Sequence, residues 1–463
     1  MVDLNFKLKS MVLTIGPSHC GKTYFCKNVL LPSLKSDPSL NVQYISSDDT
    51  RRELLGVDLS NMDKKMMYVS EPAFRFMEYK VASMMKFPVM ADFIVVDATL
   101  LDEKTRDAFI SVARDNCYNV YAIKFDYDSR DEYMSFVPDS KEIVRVVNNH
   151  VTKFKKELRS ISRISKHGVL YRIKSRDLSG VSVSIDPCDV KKRDETTLPD
   201  DDVVVISDIH GCYDSLVELL YKCGFGISGG KIVDNSGYKR TLVINGDFID
   251  KGDKVLDVVG LLYDNIGNDI VKVIKGNHEN FVYKYLKGEI DESGDMLDYF
   301  DSINMYKDAG CGEIGKFFSV IESCVDFCHN NFVYVTHAPC RNKHVGKFDI
   351  KSIRGMRSFS YNIDGSVEDK DKHLEGMLSF IVDESVCRQP YHCFGHIAVS
   401  NPRALGNKVF LDGGAVYGGK LVAATFTPDM RVKFASVRCD VKREGRLYDL
   451  FGVDNCMLNN IHY

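Results

Sequence analysis

Gly16-Pro17-Ser18-His19-Cys20-Gly21-Lys22-Thr23 satisfies the pattern G-x-x-x-x-G-K-[ST]. It sits between a short apolar run, Met11 to Ile15, and a stretch of helix-compatible spacing, Tyr24 to Leu31, so the motif joins a strand to a helix. The chemistry is phosphate binding. Glycines let backbone N–H groups close around phosphate oxygens, Lys22 neutralises the β and γ phosphates of ATP, and Thr23 holds Mg²⁺. Gly16, Ser18, Cys20 and Gly21 complete the expected cradle. A cradle alone does not say where the phosphoryl group goes. Ile45-Ser46-Ser47-Asp48-Asp49-Thr50-Arg51 offers an acceptor side: Asp48, at a strand end, could take a hydroxyl proton, while Arg51 binds a phosphate already on the acceptor.

A second set of residues lies further along the chain. Asp208-Ile209-His210-Gly211, Gly246-Asp247-Phe248-Ile249-Asp250-Lys251-Gly252 and Gly276-Asn277-His278-Glu279 follow successive apolar runs, and Thr336-His337-Ala338 and Gly395-His396 come later. A two-metal centre needs a bridging carboxylate and a mixed shell of imidazole and oxygen ligands delivered from several strand ends. One His is more often a hydrogen-bonded structural residue, and Asp-Gly pairs are common turns. Five such clusters in order point to metal chemistry. His392, one helical turn before His396, reads as structural.

The elements that must position these groups alternate. After the first strand-loop-helix, the apolar runs Phe93 to Val96 and Val120 to Phe125 flank a helical stretch around Arg106 to Arg114, which implies a parallel sheet covered on both faces. From Ile143 the apolar residues Val147, Val151, Phe154, Leu158 and Ile161 mark one helix face, and Lys153, Lys155, Lys156, Arg159 and Arg163 lie on the others. That basic surface reads either as a solvated face or as a landing site for a phosphodiester backbone. Between Ser175 and Asp202 periodicity fades into linker composition. Val203 to Ser207 opens a second strand-rich unit, with further apolar runs at Leu242, Val271, Phe332 and Val409. The expected boundaries are 1–170 for the P-loop unit, 171–202 for the linker, 203–430 for the metal-binding unit and 431–463 for a C-terminal extension.

A chain of 463 residues exceeds one ordinary core, which agrees with two units. With 44% hydrophobic and 27% charged residues the composition is globular, and a net charge of −4 neither supports nor excludes a nucleic-acid substrate. The 14 Cys include no C-x-x-C pair and fit reduced thiols. No secretory leader is evident and no apolar run approaches the roughly 20 residues of a membrane span, so a cytoplasmic protein without a membrane partner is expected.

The P-loop, the Ser-Ser-Asp-Asp-Thr-Arg stretch and Val95-Val96-Asp97-Ala98-Thr99 together resemble the kinase domain of polynucleotide kinase-phosphatases, of both phage and bacterial RNA-repair type. The resemblance implies a P-loop kinase fold in which ATP is the donor, Lys22 and Thr23 serve its site with Mg²⁺, Asp48 is the general base and Arg51 binds the nucleic acid's terminal phosphate. Leu100 stands where the family has Asn. Of the two lid arginines that cover the ATP phosphates in the family, the stretch 126–139 offers only Arg130.

From Val203 to Val422 the chain resembles the binuclear metallophosphoesterases, which implies an αββα sandwich with two divalent transition ions, Mn²⁺ or Ni²⁺. By that resemblance Asp208, His210 and Asp247 hold one ion. Asp247, Asn277, His337 and His396 hold the second, and His278 contacts the phosphate or protonates the leaving oxygen. Gly395-His396-Ile397, Pro402-Arg403 and the run Leu411-Asp412-Gly413-Gly414-Ala415-Val416-Tyr417 are similar to the phosphatase domain of the bacterial polynucleotide kinase-phosphatase. Asp412 sits at that family's active-site aspartate, and Lys251 replaces its phosphate-binding Arg. The implied activity is healing of broken ends: a 5′-hydroxyl kinase and a 3′-phosphatase, with 2′,3′-cyclic ends as possible substrates. RNA is favoured and DNA possible, in the cytoplasm of a bacterium or phage-infected host. No K-x-D-G motif is present, so sealing falls to a separate ligase, and a homodimer remains open. The alternatives are a nucleotide or dinucleotide phosphatase with a small-molecule P-loop domain, and a phosphatase whose N-terminal half only binds.

Overall fold

In the computed structural model the described residues are 2–57, 64–174, 178, 180–290, 300–345, 381–382, 385–386 and 389–441. Two compact units divide the chain, Met1–Arg193 and Asp194–Tyr463.

The first unit alternates strand and helix as the apolar runs predict. Its strands are β1 (Val2–Phe6), β2 (Ser10–Ile15), β3 (Val42–Ser46), β4 (Phe93–Asp97), β5 (Asn119–Phe125), β6 (Val169–Ile173) and β7 (Val181–Ile185). Five form a parallel sheet in the order β3-β4-β2-β5-β6. β2 and β4 are buried at every position. Strands covered on both faces lose polar alternation and read as continuous apolar runs.

The helices are α1 (Lys22–Phe25), α2 (Leu31–Leu34), α3 (Ser47–Leu55), α4 (Lys64–Tyr68), α5 (Ser70–Met84), α6 (Glu103–Asp115), α7 (Arg130–Met134), α8 (Lys141–Ser162) and α9 (Pro187–Thr196). A π-helical turn, Cys26–Leu30, joins α1 to α2. α8 buries Val147, Val151, Phe154 and Ile161, the stripe its spacing predicts. Ser46 caps α3 by accepting from the Asp49 N–H at 3.1 Å, which starts the helix where Asp48 and Arg51 fall in its first turns.

The segment 171–202, expected as a linker, is largely in strands and a helix over its described residues. It completes β6 and contains β7, which pairs in parallel with β1 from Val2↔Val181 to Phe6↔Ile185, and it contains α9. The alternation Val-Ser-Val-Ser-Ile disguises a half-covered strand as polar linker composition. The boundary between units falls at Arg193/Asp194.

In the second unit the strands are β8 (Asp202–Ile206), β9 (Phe225–Ser228), β10 (Lys231–Asp234), β11 (Arg240–Ile244), β12 (Val271–Val273), β13 (Phe327–His329), β14 (Val333–Thr336), β15 (Tyr391–Phe394), β16 (Arg403–Leu405), β17 (Lys408–Phe410), β18 (Lys420–Phe426) and β19 (Val432–Arg438). Two five-stranded sheets form, β12-β11-β8-β18-β19 and β13-β14-β15-β17-β16. Along β8 the side chains alternate. Val203 and Val205 join a core with Val335, Cys393, Val409 and Leu411 of the second sheet. Val204 and Ile206 join another with residues of α10 (Tyr213–Lys222) and α11 (Val255–Asp264). β19 pairs antiparallel with β18, so the expected C-terminal extension begins as an edge strand of this sheet. The rest of it, from 442, lies outside the described residues.

Candidate active sites

The P-loop leaves the C-terminal end of β2 and enters α1. Gly21 takes a left-handed conformation, φ 94°, at the helix N-cap, and a Cβ on Gly16 would stand 2.8 Å from Cys20 Sγ. The Lys22 ammonium is buried and donates to the Pro17 carbonyl at 2.6 Å. Thr23 Oγ1 donates to Asp97 Oδ2 at 2.6 Å, and Tyr44 OH donates to the same oxygen at 2.8 Å. Asp97 is the last residue of β4, the neighbour of β2. The sequence quotes it within a motif but assigns it no role. The structure pairs it with Thr23, a hydroxyl beside a carboxylate at the mouth of the P-loop. Its signal in the sequence is an acid that closes the apolar run Phe93 to Val96.

Asp48 and Arg51 form an ion pair, Nη1 to Oδ1 at 2.7 Å, on one face of α3. Burial bears down on the Arg51 charge and Asp48 opposes it. The buried Arg51 Nε has no acceptor among the described residues, which leaves a donor for a ligand oxygen.

Arg130 is exposed and forks onto Asn148 Oδ1 of α8 at 3.0 and 2.6 Å, rather than reaching over the P-loop. With Thr152, Lys155 and Lys156 it lines a cleft of about 410 Å³. Lys153 and Arg163, from the same basic surface, are instead paired with Asp102 and Glu103 at the start of α6. The residue that α8 does bring to the P-loop is His150, unremarked in the sequence. Its Nδ1 lies 2.9 Å from Ser18 Oγ and 3.4 Å from Ser18 N. Leu100 is buried, and its carbonyl accepts from Arg106 at 2.9 Å.

In the second unit the metal-type residues converge at the C-terminal ends of β8, β11, β12, β14 and β15. Asp247 is the shared member of two groups of ligand atoms, His210–Asp247–His278 and Asp247–His337–His396. Its Oδ2 stands 3.2 Å from His337 Nε2, 3.7 Å from His278 Nε2 and 3.9 Å from His210 Nε2. His210 Nδ1 is 2.8 Å from the Ile249 carbonyl and His337 Nδ1 is 2.9 Å from that of Asn245, so both Nε2 atoms face the centre. Asn277 Oδ1 is 3.0 Å from His337 Nε2, and Asp208 accepts from the His396 backbone N–H at 3.0 Å and from Ser207 Oγ at 2.7 Å. Burial opposes charging His337, yet the Asp247 and Asp208 carboxylates hold its imidazole up to about 10. Two buried carboxylates, imidazole nitrogens and an amide oxygen fit two divalent cations.

His278 Nδ1 is 2.7 Å from Asp250 Oδ2. Burial works against its charge, but Asp247 and Asp250 together raise its pKa above the usual value. Asp250 is thus an orienting group that its motif alone does not reveal. Another is Glu279, fully buried, whose carboxylate accepts from the N–H groups of Asp247, Phe248 and Gly276 and pins the loop that carries Asp247.

His210, Asp247, Asp250, Lys251 and His396 all adopt positive φ, the sparsely populated backbone region that clusters at functional sites. The cavity, about 340 Å³, is completed by Lys251, Asp412 and Tyr417. The Lys251 ammonium lies 3.1 Å from His210 Nε2 and 5.3 Å above the Tyr417 ring. Burial and the Asp208 charge hold Asp412 well above the usual carboxylate range. His392 sits apart, 2.8 Å from Thr336 Oγ1 and 3.1 Å from Lys408 Nζ, in a structural role.

Residues 11–131 match the family model described as an AAA domain, and residues 202–419 match that of calcineurin-like phosphoesterases. The asymmetrical bis(5′-nucleosyl)-tetraphosphatase of Bacillus subtilis (strain 168) is 27% identical over 233 residues, 48% of this chain and 89% of that protein. The enzyme of the same name from Oceanobacillus iheyensis is 28% identical over 242 residues, 50% of this chain and 91% of its own length. Among solved structures, a cold-active protein-tyrosine phosphatase of a psychrophilic Shewanella is similar over 52% of this chain and 83% of its own, at 17% identity and a TM-score of 0.32. No helix among the described residues is long and apolar enough to cross a membrane. The chain joins an N-terminal P-loop domain built on a parallel sheet to a calcineurin-like metallophosphoesterase domain.

Proposed function

We propose that this protein heals broken nucleic-acid ends, as an ATP-dependent 5′-hydroxyl polynucleotide kinase and a metal-dependent 3′-phosphatase that also opens 2′,3′-cyclic phosphates. The observation that carries the reading is the Asp48–Arg51 pair on α3, in the same unit as the Thr23–Asp97 pair. A P-loop that only hydrolysed or sensed a nucleotide would not need an acceptor-side acid and a buried guanidinium with a spare donor.

In the first unit Lys22 and the loop N–H groups bind the ATP phosphates, and Thr23 with Asp97 would hold Mg²⁺. Arg51 binds the phosphate next to the broken end, which places the 5′-hydroxyl by Asp48. Asp48 takes the hydroxyl proton as the oxygen attacks the γ-phosphorus and ADP leaves. In the second unit the Asp208, His210, Asp247, Asn277, His337 and His396 set would hold Mn²⁺ or Ni²⁺ ions, which activate the nucleophile and neutralise the phosphate. His278, held by Asp250, gives its proton to the departing 3′-oxygen. Lys251 keeps a positive charge by the phosphate but lacks the bidentate fork of arginine, which favours cyclic and diester substrates over monoesters. RNA ends are the favoured partner, and a separate ligase completes the repair.

The names of the Bacillus and Oceanobacillus relatives favour one competing reading, a dinucleotide polyphosphatase. One experiment separates the two. The protein is incubated with γ-labelled ATP, Mg²⁺ or Mn²⁺, and a 5′-hydroxyl RNA oligonucleotide ending in a 2′,3′-cyclic phosphate, with diadenosine tetraphosphate in a parallel arm. Label at the 5′ end that Lys22→Ala abolishes, with 3′-end removal that Asp247→Ala abolishes, is the expected result. Rapid cleavage of the dinucleotide with no change at either RNA end would overturn the end-healing reading.

A further inference from the structure

α8 buries an apolar stripe against the first unit, yet one of its polar positions turns toward the phosphate cradle. His150 approaches Ser18, inside the loop whose N–H groups close on phosphate, with Nδ1 2.9 Å from the hydroxyl and 3.4 Å from the backbone nitrogen. An imidazole at that place borders the loop that would close on phosphate. Arg130, the one arginine available for a lid, is engaged with Asn148.

We infer that His150 is a phosphate-contacting catalytic residue of the P-loop site, donating a hydrogen bond to the terminal phosphate of a bound nucleoside triphosphate in place of a lid arginine. This rests on the kinase reading above.

The groups facing the ring agree with that role. Lys22 and His19 come from the P-loop side, Arg51 from α3 and Lys153 from α8 itself, and every one is cationic or able to become so. Burial and then these charges push His150 down to about 4, so the imidazole is neutral near pH 7. Arg51 and Lys153 already answer Asp48 and Asp102. Beside the loop N–H groups and the Mg²⁺ that Thr23 and Asp97 would hold, Lys22 and His150 are placed to meet the charge of a triphosphate. Polyphosphate beside the ring reverses the field and draws a proton onto the imidazole, turning an acceptor from Ser18 into a donor to phosphate. As the bond from the β–γ bridging oxygen to the γ-phosphorus breaks and the acceptor oxygen bonds, an imidazolium there stabilises the spreading negative charge.

The test uses the full chain. His150 is followed by ring-selective NMR, assigned by its loss in His150→Gln, during pH titration alone, with Mg²⁺ and ADP, and with Mg²⁺ and a non-hydrolysable ATP analogue. Transfer to a 5′-hydroxyl RNA is measured for wild type, His150→Ala and His150→Gln. The expected result is a pKa that rises with the triphosphate and less with ADP. Transfer in both variants falls on the order of 100-fold in kcat, with a smaller change in KM for ATP. Glutamine can still hydrogen-bond Ser18 but cannot carry the charge, so His150→Gln should also lose the basic limb of the pH–rate profile. Binding and transfer intact in wild type, with no nucleotide-dependent titration and near wild-type kcat in His150→Gln, overturns the inference and leaves the kinase reading standing. Failure of wild type to bind ATP at all overturns both.

Discussion

Two carboxylates beside one imidazole decide what His278 can do. Burial favours the neutral ring, and Asp247, together with Asp250 whose Oδ2 lies 2.7 Å from Nδ1, shifts it back toward the protonated form that can serve as an acid. Asp250→Asn should lower phosphatase kcat by about 10-fold or more and move the basic limb of its pH profile to lower pH, because the acid form persists over a narrower range. The bound-metal content, measured by elemental analysis, should be unchanged. His150 makes the opposite case. Its pKa of about 4 in the fold lies below the ordinary 6.5, so between those values the unfolded chain binds the extra proton. Stability of the first unit is then full above about pH 6.5 and declines as pH falls toward 4. Denaturant melts of the full chain across that range should show this slope in the transition assigned to the first unit, and His150→Gln should flatten it.

At the scale of elements, the phosphatase loops are held by backbone geometry as much as by side chains. A Cβ on Gly395, at the end of β15, would stand 2.0 Å from Asp208 Oδ2, and one on Gly276 would stand 2.2 Å from Asp247 Oδ1. Asp208 accepts from the N–H of the very next residue, His396, so two strand ends share one hydrogen-bond register. Gly395→Ala should therefore push Asp208 out of place, lowering metal occupancy and reducing phosphatase activity by about 100-fold. The proposed kinase activity should be untouched, since every element named lies in the second unit. Equal losses in both activities would mean a general folding defect instead.

For the whole molecule, the division at Arg193/Asp194 is the consequential fact. β1 buries Leu4 and Phe6, and Phe6 meets Phe93, Tyr121 and Tyr171 edge-on. Its only strand partner among the described residues is β7, and the Leu8 N–H donates to Asp189 of α9 at 3.0 Å. A fragment ending at 193 should fold and keep ATP binding. One ending at 170 cuts β6 after its second residue and loses β7 and α9, and should be less stable on the order of 3–5 kcal/mol or fail to melt cooperatively. Calorimetry of the two fragments checks this.

Much of both sites was legible because their chemistry is local or ordered. The P-loop is contiguous, and its strand-loop-helix context follows from the apolar runs on either side. The candidate metal ligands Asp208, His210, Asp247, Asn277 and His337 follow apolar runs, which points to strand ends, and His396 was picked out by its Gly-His motif. The alternation of β7 concealed its strand, because period-two serines on a half-covered edge look like linker. What only the tertiary structure decided are partners set by packing across long stretches of chain. These include Asp97 on Thr23 and His150 on Ser18, separated by 74 and 132 residues, and the pairing of β1 with β7. The choice of Asn148 by Arg130 belongs with them. Periodicity reports which face of an element is buried. It does not report which polar side chain of that element meets which loop, because that depends on how separate elements dock.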